Sequence, residues 1–134
     1  ENPDSKILRQ NISRMKYELL KNGPFVATIT VYEDLYVFDG MSIYVHGNSP
    51  KIGGHAIEII GYCDEGVDTR YMVNGQGYWI CRNSWGINWP IDSGTPGYFA
   101  ILMGRNECGI ESRCVSAEPD VLPYKDDPYK NDLP

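Results

Sequence analysis

The sequence has no apolar run near the roughly 20 residues that carry a helix across a bilayer, so no membrane-spanning helix is expected. It also lacks a basic excess. Twelve Lys and Arg stand against 18 Asp and Glu, giving a net charge of −6. Nucleic acid is bound through a basic footprint, so it is excluded as a partner. Histidine occurs only twice, as His46 and His55. His46 has no Cys, Asp or Glu at ligand spacing and reads as a surface or hydrogen-bonded histidine, so neither a metal nor a cofactor is expected. There is no internal repeat or low-complexity tract. No initiator Met and no leader-like segment is present, and a chain opening at Glu1 reads as processed or trimmed.

What is present suits one domain: 134 residues, 42% of them hydrophobic and 22% charged. Residues 5–21 predict a helix, because Leu8, Ile12, Met15 and Leu19 share one face at 3.6-residue spacing. Asn22-Gly23-Pro24 then supplies a left-handed cap and a residue that cannot continue a helix. Asn11-Ile12-Ser13 is a glycosylation sequon within that helix. Phe25 to Tyr32 alternates as a half-buried strand should. Glu33 to Phe38 predicts a helical turn, and Met41 to His46, Gly97 to Met103 and Gly109 to Ala117 predict further strands. Residues 64–76 and 87–96 have loop composition. From Glu118 the chain holds four of its nine prolines, five acids and two lysines, an extended or disordered tail over 118–134 following a domain over 1–117. One helix followed by about six strands implies an α+β domain with a bent or barrel-like antiparallel sheet.

Two segments carry the chemistry. GGHAIEIIGY (53–62) and GYWICRNSWG (77–86) each read as a β-branched and aromatic strand bounded by glycine. The first sets His55 at its start, after Gly53 and Gly54. The second ends in Asn83-Ser84-Trp85-Gly86. If the two strands pair, the imidazole and the carboxamide meet at one end of a sheet. A histidine oriented by a neutral amide is the base half of a Cys-His-Asn catalytic set. Taken singly, His55 has the ordinary reading of a satisfied strand histidine, Asn83 of a strand cap, Trp85 of a core aromatic and the glycines of a bulge. Their joint order and spacing favour catalysis.

These two motifs resemble the His and Asn motifs of papain-like cysteine peptidases. NGPFVATITVYEDLYVFDGMSIYVH upstream and GYFAILMGRNECGIES downstream resemble the cathepsin B and cathepsin C branch. The likeness runs over roughly residues 13–117. It implies a papain-like fold, of which this chain is the β-rich right-hand domain with one N-terminal helix. It implies His55 and Asn83 as catalytic residues and Trp85 as a cover over their hydrogen bond. Gly53, Gly54 and Ala56 would contact substrate, the glycines leaving backbone open to a passing peptide strand. It also implies a lysosomal, vacuolar or secreted protein made as a zymogen.

The nucleophile is missing. The family signature C-G-[SA]-C-[WY] occurs nowhere in the sequence. The resemblance therefore implies a companion chain carrying the catalytic Cys and the oxyanion-hole Gln. This chain alone should hydrolyse nothing; with its companion it should cleave peptide or protein substrates. The alternative is an inactive homologue serving as a structural or binding module. Two positions depart from relatives. In cathepsin B an acidic residue two beyond the GIE glutamate lines the S2 pocket, and here that position is Arg113. Loss of a basic P2 preference, and tolerance of acidic P2 groups, is implied if Arg113 lines the pocket rather than serving the fold. Trp89-Pro90 replaces the usual Trp-Gly and bears on contacts beyond the scissile bond.

Cys63, Cys81, Cys108 and Cys114 make an even set, compatible with an oxidising compartment. Antiparallel pairing of the two key strands would hold Cys63 and Cys81 far apart. Cys108 and Cys114 are close enough in sequence to bridge, or either remains a buried free thiol.

Overall fold

The computed structural model describes residues 3–66, 76–91 and 94–115. Helix α1 spans Pro3–Asn22, with proline in its first turn, Asp4 near the N-terminus and Lys21 in the last turn, each suited to its end of the helix dipole. It stops at Gly23, which takes φ 87° and donates its N–H to the Leu19 carbonyl at 3.1 Å. Met15 is buried, and Ile12 and Leu19 pack against the same core. Lys16 meets the Asp64 carboxylate at 2.6 Å. Asn11 of the sequon is committed to the fold, its side-chain amide donating to the Glu111 carbonyl at 3.0 Å.

Strand β1 (Phe25–Tyr32) leads into a single helical turn, α2 (Glu33–Tyr36), then β2 (Lys51–Cys63), β3 (Tyr78–Arg82), β4 (Tyr98–Leu102) and a short β5 (Cys114–Val115). They form one sheet in the order β4-β3-β2-β1-β5 with antiparallel neighbours. The α+β class and the antiparallel sheet match the sequence reading. Phe25, Ala27, Ile29 and Val31 turn to the core, where they meet Ile57, Ile59, Trp79, Cys81, Phe99 and Ile101. Burying such side chains stabilises by about 1.5–3 kcal/mol each before chain entropy opposes it. Val26, Thr28 and Thr30 alternate to the opposite face.

Three elements differ from expectation. Strand β2 begins at Lys51, so His55 lies inside it, opposite Ile29, rather than at its start. Met41 to His46 is not a strand. It touches the sheet only at a bridge from Tyr44 to Ile101, with the Tyr44 N–H on the Ala100 carbonyl at 2.7 Å. Carboxylates take the nearby backbone donors instead: Asp34 accepts from the Gly47 N–H at 2.7 Å, and Glu107 from the His46 N–H at 2.9 Å. The segment from Gly109 is likewise no long strand. A 3-10 turn at Glu107–Gly109 precedes it, and β5 has two residues. Its organiser is the buried Glu111 carboxylate, which accepts from Trp79 Nε1 at 3.0 Å, Gly104 N at 2.9 Å and Asn106 N at 2.6 Å. Most of the 64–76 connection, and the tail over 118–134, lie outside the described residues.

Of the two alternatives for Cys108 and Cys114, the structure shows the free thiols: no bridge forms, and all four cysteines are free. Cys108 donates weakly to the Glu107 carboxylate and Cys114 to the Ile110 carbonyl. Cys63 pairs across from Tyr78 and Cys81 across from Ile59, so these two do stand apart.

Candidate active site

The two halves of β2 have different partners. Residues 51–59 pair with β1, and residues 58–63 pair with β3. Strand β3 ends at Arg82, opposite Glu58, so the next residue, Asn83, emerges beside the part of β2 that holds His55. The Asn83 N–H is held by the Gly97 carbonyl at 2.8 Å, and Gly97 takes φ 82°, a conformation suited to glycine.

From there the Asn83 side chain reaches His55. The distance from His55 Nε2 to Asn83 Oδ1 is 2.8 Å. The same oxygen accepts the Ser84 N–H, also at 2.8 Å. A backbone N–H can only donate, so the group facing it must be the amide oxygen, and the orientation of the amide is settled. The oxygen can only accept from the ring, so His55 carries a proton on Nε2. In the neutral ring the lone pair is then on Nδ1, the nitrogen available to take a proton from a nucleophile. Asn83 is buried, 7% exposed, and its Nδ2 has no partner among the described residues.

Trp85 stacks on His55 with ring centroids 5.0 Å apart and an interplanar angle of 21°. Its own ring lies against Tyr36 at 4.7 Å and meets Trp89 edge-on at 5.2 Å. Trp89 is fixed in turn by donating its Nε1–H to the Leu35 carbonyl at 2.8 Å. The indole thus covers one face of the imidazole beside the His55–Asn83 bond.

Gly54 and Ala56 flank His55 on β2 and are exposed. A Cβ added at Gly53 or Gly54 would meet nothing within 4 Å, so the fold itself does not require glycine at either place. Arg113 is exposed and lies across Gly109, where a Cβ would fall 2.0 Å from its Nη2. That nitrogen donates to Thr30 Oγ1 at 2.7 Å and to the Cys108 carbonyl at 3.1 Å. Thr30 is the cross-strand partner of Gly54, so the guanidinium stands on the same sheet face as Gly54 and Ala56. A groove of about 310 Å³ opens along that face, lined by Val26, Ala56, Ile57, Glu58, Arg82, Asn83 and Ser84. Glu58 and Arg82 are direct cross-strand neighbours in it.

Burial acts on three of the four thiols. Burial raises Cys81 well above its ordinary pKa, and Cys114 adds to the effect. Burial, with Glu107 beside it, pushes Cys108 up to about 12. Burial, with Glu111 beside it, pushes Cys114 up to about 11. Thiols so raised stay protonated at neutral pH and are poor nucleophiles. Cys63 lies eight residues from His55 along β2, roughly 26 Å at strand rise. Sequence reasoning did not see Tyr36 behind Trp85, the double role of Asn83 Oδ1, or the Glu111 network. Each depends on tertiary placement.

Residues 3–118 match the model of the papain family cysteine proteases. The chain belongs to that family. It is 42% identical over 112 residues to cathepsin B-like cysteine proteinase 4 of Caenorhabditis elegans, covering 84% of this chain and 30% of that protein. With cathepsin B-like cysteine proteinase 2 of Haemonchus contortus it shares 38% over 118 residues, 88% of this chain and 31% of the relative. In structure it is similar to procathepsin B S9 from Trypanosoma congolense, with a TM-score of 0.63 and 36% identity over 76% of this chain and 30% of that one. The papain-like fold is thereby established. The chain spans about 30% of the length of the relatives it matches.

Proposed function

We propose that this chain is the histidine- and asparagine-bearing part of a cathepsin B-like cysteine peptidase that cleaves peptide bonds. Its nucleophilic cysteine and oxyanion-hole glutamine are supplied by a separate N-terminal chain. The observation that carries the reading is the His55 Nε2–Asn83 Oδ1 bond at 2.8 Å, which leaves Nδ1 as the base. A cysteine placed at Nδ1 gives up its proton to the ring, forming a thiolate–imidazolium pair. A carboxylate in place of Asn83 would compete with the thiolate for that positive charge; the neutral amide does not. The thiolate attacks the scissile carbonyl, forming a carbon–sulfur bond. The imidazolium then protonates the leaving amine as the carbon–nitrogen bond breaks. Water, deprotonated by His55, releases the acyl group and restores the thiol.

The groove beside Asn83 is the seat we assign to the companion chain. Its floor is apolar at Val26 and Ala56, and it bears opposite charges at Glu58 and Arg82. The unneeded glycines at 53 and 54 leave room for substrate backbone on the same face. Arg113, with donors beyond the two it uses, favours acidic over basic side chains at the position two before the scissile bond. A lysosomal, vacuolar or secreted setting accompanies the assignment.

The test is to co-express the chain with the polypeptide encoded upstream and assay peptide hydrolysis. Turnover that disappears on alkylating one companion cysteine supports the assignment. A companion with Ser or Gly at the nucleophile position, and no turnover, would leave a binding or structural module instead.

A further inference from the structure

The strongest unassigned feature is the solvent face of α1. Ile7, Gln10, Arg14 and Tyr17 follow one another at three- and four-residue spacing and form one stripe along it. The side of a surface helix away from the core is ordinarily polar. Here Ile7 is 54% exposed, Tyr17 62% and Leu20 77%. The face is also basic. Helix α1 holds five Lys and Arg against two acids, in a chain whose net charge is −6. A shallow groove of about 440 Å³ runs between Lys6, Arg9, Gln10, Ser13 and Arg14. Two smaller clefts, of about 190 and 150 Å³, each lie between Arg14 and Cys114. Arg14 borders all three, so the surface is continuous from α1 to β5. The acids in the clefts are already engaged. Glu111 holds its three donors, and Glu18 accepts from Asn22 Nδ2 at 3.0 Å.

Strand β5 delivers the chain to this surface. Cys114 pairs with Ala27 and Val115 with Val26, so β5 runs toward Phe25, which lines the smaller cleft. Beyond it the sequence places Glu118, Asp120, Asp126 and Asp127, against Lys125 alone, with Val121, Leu122 and Tyr124 among them. The three residues from Val115 to Glu118 reach about 10 Å when extended. The eight residues from Arg14 back to Lys6 rise only about 12 Å along the helix. We propose that residues 118–127 dock along the solvent face of α1, with Glu118 and Asp120 at Arg14, and Asp126 and Asp127 at Lys6. One exposed ion pair contributes little. Several pairs of matched sign give the segment its place and direction. Val121, Leu122 and Tyr124 add to them by covering Ile7 and Tyr17. The docked segment straps α1 to the sheet edge at β5. This docking is independent of the peptidase reading.

The experiment treats the complete protein with a water-soluble carbodiimide. The reagent joins an ammonium and a carboxylate in contact as an amide, taking up the water that is lost. The joined residues are read by mass spectrometry of the digested protein. The expected product joins Lys6 to Asp126 or Asp127. Lys16 and Asp64, 2.6 Å apart, should be joined in every sample and report that the chain is folded. Arg14→Glu should lower the Lys6 yield at least fivefold relative to the Lys16–Asp64 product. Adding Asp120→Arg to that variant should restore the yield to within twofold. Glu118→Gln with Asp120→Asn, which leaves α1 untouched, should lower it as Arg14→Glu does. Lys6 joined to another chain, to a second copy, or to no carboxylate of residues 118–127 while Lys16–Asp64 forms overturns the proposal. So does a Lys6 yield that neither the helix substitution nor the paired tail substitutions move.

Discussion

Asn83 places one oxygen between two donors, the His55 ring and the Ser84 N–H. Removing it would cost the ring its orientation without touching the reacting atoms. Asn83→Ala in the complete protein should therefore lower kcat roughly 10- to 100-fold. That corresponds to the about 1.5–3 kcal/mol of a hydrogen bond to a charged group. KM should stay nearly constant, as measured by steady-state hydrolysis. His55 and Asn83 were legible in the sequence because each stands in a short motif with fixed neighbours. Trp85 was legible for the same reason. Arg113 could be located from its motif, but its partners could not. Its packing on Gly109 and its bond to Thr30 Oγ1 join residues 83 positions apart. Tyr36 carried no local signal, since an exposed tyrosine on a one-turn helix is ordinary until Trp85 is seen beneath it.

At the scale of elements, alternation succeeded where a segment truly pairs along its length. Strand β1 was read to its ends, and helix α1 nearly so. The method failed where side chains satisfy the backbone. Met41 to His46 and the segment after Gly109 have strand-like composition, but side chains and tight turns take N–H groups a ladder would have used: Met41 donates to the Asp39 carboxylate, His46 to Glu107, Glu111 to the Asn106 amide oxygen, and Ile110 and Ser112 to carbonyls three residues back. Glu111 is the clearest case: 1% exposed, with two backbone N–H groups and the Trp79 indole as donors. Glu111→Ala would leave those three donors without an acceptor. At about 1–3 kcal/mol for each unsatisfied group, the loss should be at least about 3 kcal/mol. A denaturant titration of the complete protein should show a clearly lower midpoint. An unchanged midpoint would mean that water replaces the carboxylate.

On the proposed reading, the described residues hold half of a site, with His55 and Asn83 bonded at 2.8 Å. Its sheet shows one face to a core sealed by α1 and the aromatic cluster of Phe38, Tyr44, Trp89 and Phe99. The other face carries the groove. The raised thiols give the fold a pH signature. Cys108 and Cys114 ionise only near 12 and 11 in the folded chain, against an ordinary value of 9.0. Between those limits the folded state holds more protons than the unfolded state. Their contribution to stability is thus complete below about pH 9 and is lost as pH rises through 11 and 12. The denaturant midpoint should fall progressively above pH 9. Replacing both with Ala should flatten that fall.

The central claim is that His55, held by Asn83, creates a thiolate on a cysteine that another chain supplies. It is tested most directly by the rate at which iodoacetamide alkylates that cysteine between pH 4 and 8, in the complete protein and in its His55→Ala variant. The account predicts fast alkylation persisting to pH 5 in the unmodified protein. In the variant the rate should fall about 10²- to 10³-fold at pH 5–6 and follow an ordinary thiol of pKa about 8.5. Superimposable profiles for the two proteins would contradict it.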